Sequence, residues 1–375
     1  MARERAHSVT PGRQTEARPT ARAVAFHVLL QVERGGFASD LLRARAERLD
    51  AREAGLAHEI VFGCLRRQAQ LDFLIEHFSG RPVARLDPEV RTAMRMGLYQ
   101  LRHLDRIPAH AAVAESVELV KMARKRSAMS FVNAVLRTAA GREAAPWPNR
   151  SVAFSTPEWL LASWERQFGP ENAVRIAEAF LQIPETYTRV TLGEPRIQDI
   201  GSQMIVPLLD LKPGLSFLDL CAAPGNKTAQ ALESGVRAVA CDISFPRLAG
   251  LQRLGCPLVV LDGTEPLPFR APFDRILLDV PCSGTGTLGR NPEIKWRLRP
   301  EDLADLHQRQ VRLLENTLKL LAPGGRLVYS TCSLEREENE SVLEQVLGEV
   351  PSAGMRRTPG NDPGDGFFAA VIGST

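Results

Sequence analysis

What this chain lacks narrows its class before anything it contains. No uncharged apolar run reaches membrane-spanning length, and the basic N-terminus leads into AVAFHVLLQV, which carries a histidine and no small-residue cleavage pattern. A cytoplasmic protein is expected. Cysteine is scarce: Cys64, Cys221, Cys241, Cys256, Cys282 and Cys332 are the six thiols in 375 residues. They are too sparse for a disulfide framework, and none form a CxxC pair for zinc, so free thiols and no metal are expected. The strand-turn-helix SFLDLCAAPGNKT lacks GxGxxG and has no GxxxxGK[ST], which weakens dinucleotide and P-loop readings there. No histidine lies near the motifs of Cys282 or Cys332, which argues against a Cys-His hydrolase.

What is present divides by charge. The net charge of +3 conceals a first part, residues 1–150, with 25 Lys and Arg against 16 Asp and Glu, and a remainder with 22 against 28. A basic module joined to an acidic one suggests attraction to a polyanion such as RNA, the plainer reading being a solvated face. KMARKRSAM, residues 121–129, is the densest basic segment and the best candidate for a phosphate-binding face.

Residues 1–18 are polar and aperiodic and read as a disordered leader. Leu71, Leu74, Ile75 and Phe78 then repeat at helical spacing, as do Val90, Ala93, Met94, Gly97, Leu98 and Leu101, and Ala128, Phe131, Val132, Val135 and Leu136. Residues 19–142 are therefore expected to form an all-helical domain. EAAPWPNR reads as a linker, followed by a small helical connector, so that 143–198 separate the first domain from a third segment, 199–375.

In that last segment short apolar runs alternate with helical stretches: SFLDLCAA, AVACDI, PLVVLDG, RILLDV and RLVYSTC. Runs apolar on both faces suit buried parallel strands, and the pattern predicts a doubly wound, Rossmann-like α/β sheet. Ligands of such sheets collect beyond the carboxyl ends of the strands. There the sequence places a glycine turn running into a helix (Cys221, Ala222, Ala223, Pro224, Gly225, Asn226, Lys227), then Asp242 and Asp262 at the ends of the next two runs. One acid suits a ribose hydroxyl pair and the other an adenine amine, while each alone reads as a turn residue. Together they fit S-adenosyl-L-methionine, an adenosine ligand without phosphate.

Two thiols end apolar runs on the same edge, Cys282 in DVPCSGTG and Cys332 in VYSTCSLEREENE. Beside a methyl donor, a thiolate serves covalent catalysis: adding to C6 of cytosine makes C5 nucleophilic. Such a scheme also needs polar partners on the ring nitrogen side, which Asp279 and Lys227 could supply, and a base for elimination. LEREENE reads as a charged first helical turn, KWRLR (Lys295 to Arg299) as an RNA-contacting or solvated loop, and His58 as a core or surface histidine.

LDLCAAPGNKT, LLDVPCSGTGTLGRNPEIKW, YSTCSLEREENE and DGFFAAVI closely resemble the motifs of the RsmB/Sun (Nol1/Nop2/Sun) family of RNA cytosine-5 methyltransferases. GLAHEIVFGCLRRQAQLDFLI, MRMGLYQL and FVNAVLR are similar to the NusB-type RNA-binding domain that precedes the catalytic domain in its bacterial rRNA enzymes. The resemblance implies a SAM-dependent methyltransferase domain preceded by an all-α NusB-like domain. It implies that Cys332 is the nucleophile, that Cys282 assists elimination and release, and that Asp279 and Lys227 act at the target base. The Cys221–Lys227 loop, Asp242, Asp262 and Asp279 would hold the cofactor.

Two departures stand out. Asn226 replaces the family's second glycine, and asparagine tolerates positive φ. Only TLGEPRIQDIGSQ separates Arg189 from the sheet, where relatives carry a longer insert. The implied partner is RNA, most simply an unpaired cytosine of small-subunit rRNA, met by a monomer. Alternatives are a tRNA-directed relative, an assembly factor that has lost turnover, and an amino-directed methyltransferase, which needs no thiol and whose Pro-Pro-aromatic motif is lacking.

Overall fold

The computed structural model describes residues 19–143 and 145–373, so the leader expected at 1–18 lies outside the described residues. The chain divides into two compact units. One holds the described residues up to Val61 together with Leu86–Gly141, and the other holds Phe62–Arg85 and the described residues from Arg142 onward.

The first unit is all-helical, as the 3.6-residue stripes require. Its helices include Ala21–Val32, Pro88–His103, Ala109–Met122 and Met129–Gly141. Gly97 is a packing necessity there, because a Cβ would stand 2.6 Å from Leu136 and 2.7 Å from the Ser116 hydroxyl. The basic segment is partly neutralised: Lys121 pairs with Glu118 and Lys125 with Asp87, both at 2.9 Å, while Arg124 and Arg126 are exposed.

The second unit carries a hairpin, β1 (Thr188–Thr191) and β2 (Glu194–Ile197), and a seven-stranded sheet. The sheet comprises β3 (Ser216–Asp219), β4 (Arg237–Asp242), β5 (Leu258–Val260), β6 (Phe273–Asp279), β7 (Leu321–Thr331), β8 (Gly354–Arg357) and β9 (Phe367–Gly373), in the order β5-β4-β3-β6-β7-β9-β8. β3 to β7 are parallel, as their two-sided apolar runs predict, and β9 enters antiparallel between β7 and β8.

Alternate residues feed opposite faces. Leu218, Ile276, Leu278, Leu327 and Tyr329 pack with Val311, Leu314 and Leu343, from the helices Pro300–Leu318 and Glu340–Leu347. Phe217, Leu277 and Val328 pack on the other side with Ile205, Leu209 and Ala231. Both faces are covered, so polar chemistry is confined to the strand ends.

The connector is more than a helical spacer. It contains the β1–β2 hairpin, and its helices Glu158–Phe168 and Pro170–Ala179 form a core around Trp164 that includes Leu288 and Leu334. Those two residues lie just beyond the cysteine motifs. Among the described residues no helix is long and apolar enough to cross a membrane.

Candidate active site

The register of the parallel strands brings the sequence-selected groups to one edge. Asp219 pairs with Ala240 across β3 and β4 and with Leu277 across β3 and β6, and Asp279 stands opposite Ser330 across β6 and β7. Asp242 ends β4, Cys282 follows β6 and Cys332 follows β7. Parallel strands all present their carboxyl ends to one edge, which is why residues more than a hundred positions apart meet.

The glycine turn after β3 has its strain at one position. Gly225 has φ +99°, and a Cβ there would meet Leu251 at 2.6 Å. Asn226 is the first residue of the helix Asn226–Leu232 and does not adopt positive φ, so the tolerance expected of it goes unused. Its side chain donates to the Ile197 carbonyl at 3.1 Å. Asp242 is buried and holds the turn in place, accepting from the main-chain N–H of Ala223 at 3.1 Å and of Ser244 at 2.9 Å. Asp262 is exposed and accepts from the Thr264 N–H at 2.9 Å and hydroxyl at 2.7 Å; these bonds hold its carboxyl below the usual range.

Lys227 forms an ion pair with Asp279 at 2.6 Å, and Asp279 also accepts from the Ser330 hydroxyl at 2.7 Å. Burial works against the Lys227 ammonium, but the Asp279 carboxylate and the nearby Cys332 and Asp219 outweigh it and raise its pKa. The two thiols face each other, Cys282 Sγ to Cys332 Sγ at 3.4 Å. Cys282 is pushed well above its ordinary value by its hydrogen bond to Cys332, by burial, and by the charges of Cys332 and Glu338. Cys221 is raised by burial, so it packs as a neutral thiol.

Backbone closure fixes the two cysteine loops. The Gly286 N–H donates to the Cys332 carbonyl at 2.9 Å, and the Gly366 N–H donates to the Gly286 carbonyl at 2.8 Å. A Cβ on Gly286 would come within 2.4 Å of the Gly366 oxygen and 2.8 Å of the Cys332 oxygen, so the glycine after the PC motif is required by close approach.

Two expectations from the sequence are revised here. LEREENE forms the helical turn expected of it, Arg336–Glu338 leading into the helix Glu340–Leu347, but Glu335 and Glu338 within it are fully buried. Glu335 accepts from Trp164 Nε1 at 3.0 Å and Ser163 Oγ at 2.9 Å, and burial raises it to about 7. Lys295 is likewise no RNA-facing loop residue. It is 1% exposed, donates to the Arg66 carbonyl at 2.9 Å, and is lowered to about 7 by burial and by Arg66 and Arg67. Trp296 Nε1 donates to the Leu65 carbonyl at 3.0 Å, so the IKW segment satisfies the last carbonyls of the helix Ala51–Arg66.

Sequence reasoning passed over four residues at this edge. Asp219 is fully buried, is raised to about 7 by desolvation, and accepts from the Thr228 hydroxyl at 2.6 Å, while its Oδ1 has no hydrogen-bond partner. The signal was available: a carboxylate ending an apolar strand needs a partner. Ile243, Phe245 and Val260 are 66%, 67% and 49% exposed beside Asp242 and Asp262, a run of apolar surface that only the strand order assembles. Among the described residues no cluster of His, Cys, Asp and Glu has metal-holding geometry.

A doubly wound sheet with a glycine turn after its first core strand and an acid ending the next defines a Rossmann-like methyltransferase. Residues 206–372 match the family described as 16S rRNA methyltransferase RsmB/F, and residues 19–141 match the NusB family. The protein named ribosomal RNA small subunit methyltransferase B from Klebsiella pneumoniae (strain 342) is 32% identical over 421 aligned positions, covering 94% of this chain and 97% of its own. Its namesake from Shigella flexneri is also 32% identical, covering 94% and 98%. The chain belongs to this family of SAM-dependent rRNA methyltransferases. The 421 positions exceed the chain's 375 residues, so these relatives contain segments that it lacks. The crystal structure of PH0851 has a TM-score of 0.77 at 22% identity, covering 96% of this chain and 99% of that one, a likeness of fold. The NusB match runs through residues 62–85, which pack in the second unit.

Proposed function

We propose that this methyltransferase acts on C5 of an unpaired cytosine in 16S rRNA through a covalent bond between Cys332 and C6. The observation that carries the reading is the pair of sulfurs 3.4 Å apart on the strand edge that also holds the Lys227–Asp279 ion pair. A methyltransferase acting on an exocyclic amine has no use for two thiols there.

The residues present fit S-adenosyl-L-methionine. The orphaned buried Oδ1 of Asp219 suits its ammonium group, Asp242 its ribose hydroxyls, and Asp262 the adenine amine. Ile243, Phe245 and Val260 offer apolar walls for the adenine ring, and the Cys221–Lys227 turn borders the methionine end. When bound, the cofactor supplies the methyl group that C5 takes.

The protein's part is to make and unmake one bond. The Cys332 thiolate adds to C6, and the C5–C6 π electrons shift toward the ring carbonyl and N3. Lys227 and Asp279 hold that side of the base and stabilise the developing charge. After C5 is methylated its proton passes to solvent, the electrons of the C5–H bond reform the C5–C6 π bond and Cys332 leaves from C6 as the thiolate. Cys282, kept as a neutral thiol in contact with Cys332, assists this release. The NusB-like part contributes RNA positioning, with Arg124 and Arg126 exposed for phosphate contact. The setting would be the cytoplasm, and a monomer suffices, since the described chain supplies every group invoked.

Cys332→Ala should abolish methylation, whereas Cys282→Ala should accumulate a protein–RNA adduct that survives a denaturing gel. Ordinary turnover by Cys332→Ala sinks the covalent mechanism. Mass mapping of 5-methylcytosine in 16S rRNA and tRNA from cells with and without the protein tests the substrate, and loss confined to tRNA overturns the rRNA assignment.

A further inference from the structure

A buried carboxylate outside the thiol site is left short of donors. Asp365 is 7% exposed and lies two residues before Phe367, whose ring faces Lys227 Nζ at 5.8 Å. Asp365 Oδ2 accepts from Arg290 Nε at 2.8 Å. Arg290 is itself fixed, donating to Asp199 at 3.0 Å and to the Glu185 carbonyl at 2.6 Å, and the Asp365 main-chain N–H donates to Asp199 at 3.1 Å. Among the described residues nothing donates to the other carboxylate oxygen, Oδ1. Burial and the neighbouring Asp199 raise this carboxyl to about 7 against the pull of Arg290, as befits an acceptor with too few donors.

Asp365 lines a cavity of about 200 Å³ whose other walls include Phe180, Pro184, Tyr187, Pro359 and Pro363, rings that present flat apolar faces. Gly289 closes one side, and a Cβ there would stand 3.7 Å from Pro184 and 3.9 Å from Phe180, so the glycine leaves room without being required by strain. Cavities for drug-sized ligands start at roughly 300 Å³, so this one takes a single planar ring. Its polar groups are acceptors: Asp365 Oδ1, and the carboxylate of Glu185, to which Tyr187 donates its hydroxyl at 2.7 Å. A ring that fits must bring donors. The cavity also borders the reacting base, because two residues carry the chain at most about 7 Å from Asp365 to Phe367. Between them, the Gly366 N–H bonds to Gly286, whose own N–H bonds to the Cys332 carbonyl.

We propose that this cavity is a specificity subsite for a guanine next to the target cytosine, read by Asp365; this rests on the RNA reading above. Unstacked RNA bases are recognised by stacking on rings and by hydrogen bonds to their Watson–Crick edges. Guanine alone of the four sets an imino and an amino N–H side by side on that edge. Adenine and cytosine place an acceptor beside their amine, and uracil flanks its imino group with two carbonyls. Asp365 Oδ1, with the second lone pair of Oδ2, accepts the guanine pair. Arg290 holds the carboxylate in place, and the arriving N–H groups favour its ionised form.

The test uses the full chain and short single-stranded RNAs, each with one cytosine and a chosen base on either side. Binding is read by fluorescence anisotropy, and methylation is read on the same RNAs. Wild type should bind the RNA with guanine on one side of the cytosine about tenfold more tightly than its inosine counterpart, which lacks the amino group. Asp365→Asn should bring that ratio to about one. Gly289→Leu, which fills the cavity and leaves the carboxylate, should do the same. A merely structural role would weaken binding of all RNAs alike and keep the ratio. That result, or equal binding of guanine and inosine RNAs by wild type, overturns the proposal. If Asp365→Asn does not fold, the wild-type comparison and Gly289→Leu decide. Guanine preference in binding with no 5-methylcytosine formed would sink the C5 reading and leave the subsite standing.

Discussion

The two halves of the sheet's carboxyl edge are built in opposite ways. Beyond β3, β4 and β5 the edge is open: Ile243, Phe245, Val260 and Asp262 face solvent, and Asp219 keeps one buried oxygen without a partner. Beyond β6 and β7 it is closed: Ser283, Thr285, Ser333, Glu335, Glu338 and Asn339 are buried in a continuous hydrogen-bond network. The difference reflects what each half must do. A surface that receives a ligand leaves its apolar contacts for the ligand to make. A pair of loops that hold two sulfurs in register must be rigid beforehand, and polar networks that are fully satisfied provide that.

The comparison can be broken from the closed side first. Gly286→Ala should have the largest effect, because its Cβ meets main-chain oxygens of Gly366 and Cys332 that cannot step aside. A loss of about 2–3 kcal/mol in a urea melt is expected, together with loss of methylation. A variant with wild-type stability would show that the loops are looser than this packing implies. On the open side, Asp242→Ala should weaken cofactor binding by about tenfold or more, since it removes an anchor of the turn as well as the ribose acceptor. Phe245→Ala should weaken it by about tenfold without changing the melting temperature, because the ring is 67% exposed in the free protein. Calorimetry checks both, and an effect of Phe245→Ala on stability rather than affinity would erase the distinction between the halves.

The smallest effect concerns pH. Glu335 is raised from the usual carboxylate range to about 7, so between about 4.5 and 7 the folded protein holds a proton that the unfolded chain has lost. Stability from this group is therefore greatest at the acidic end and falls as pH rises through 7. Glu335→Gln should flatten that fall by about 2 kcal/mol. Parallel slopes for wild type and variant in melts from pH 5 to 8 would show that the network accommodates the charge.

Much of this architecture was legible in the sequence for physical reasons. Five apolar runs could be read as strands because strands covered on both faces admit few polar residues, and Asp242, Asp279, Cys282 and Cys332 drew attention because each ends such a run. The same logic failed for LEREENE and KWRLR. Charge in a sequence suggests solvent, yet Glu335, Glu338 and Lys295 are buried beside partners as remote as Trp164, Ser283 and Arg66. Residues 62–85 carry a helical stripe continuous with their neighbours, and nothing in that period tells which unit they pack in. There Gln70 donates to the Ala153 carbonyl at 2.7 Å and the Ala69 main-chain N–H donates to the Ser155 hydroxyl oxygen at 3.0 Å.

By itself the sequence determined the alternation of strand and helix, the all-helical first unit, and which thiols and acids stand at strand ends, because periodicity and punctuation are local properties. Only the tertiary structure decided that two sulfurs fifty residues apart touch, that a run of glutamates turns inward to bind the loops beside them, and that β9 enters antiparallel. Those outcomes depend on which strands become neighbours and on the cost of leaving a buried charge unpaired, and both are settled by residues far apart in the chain.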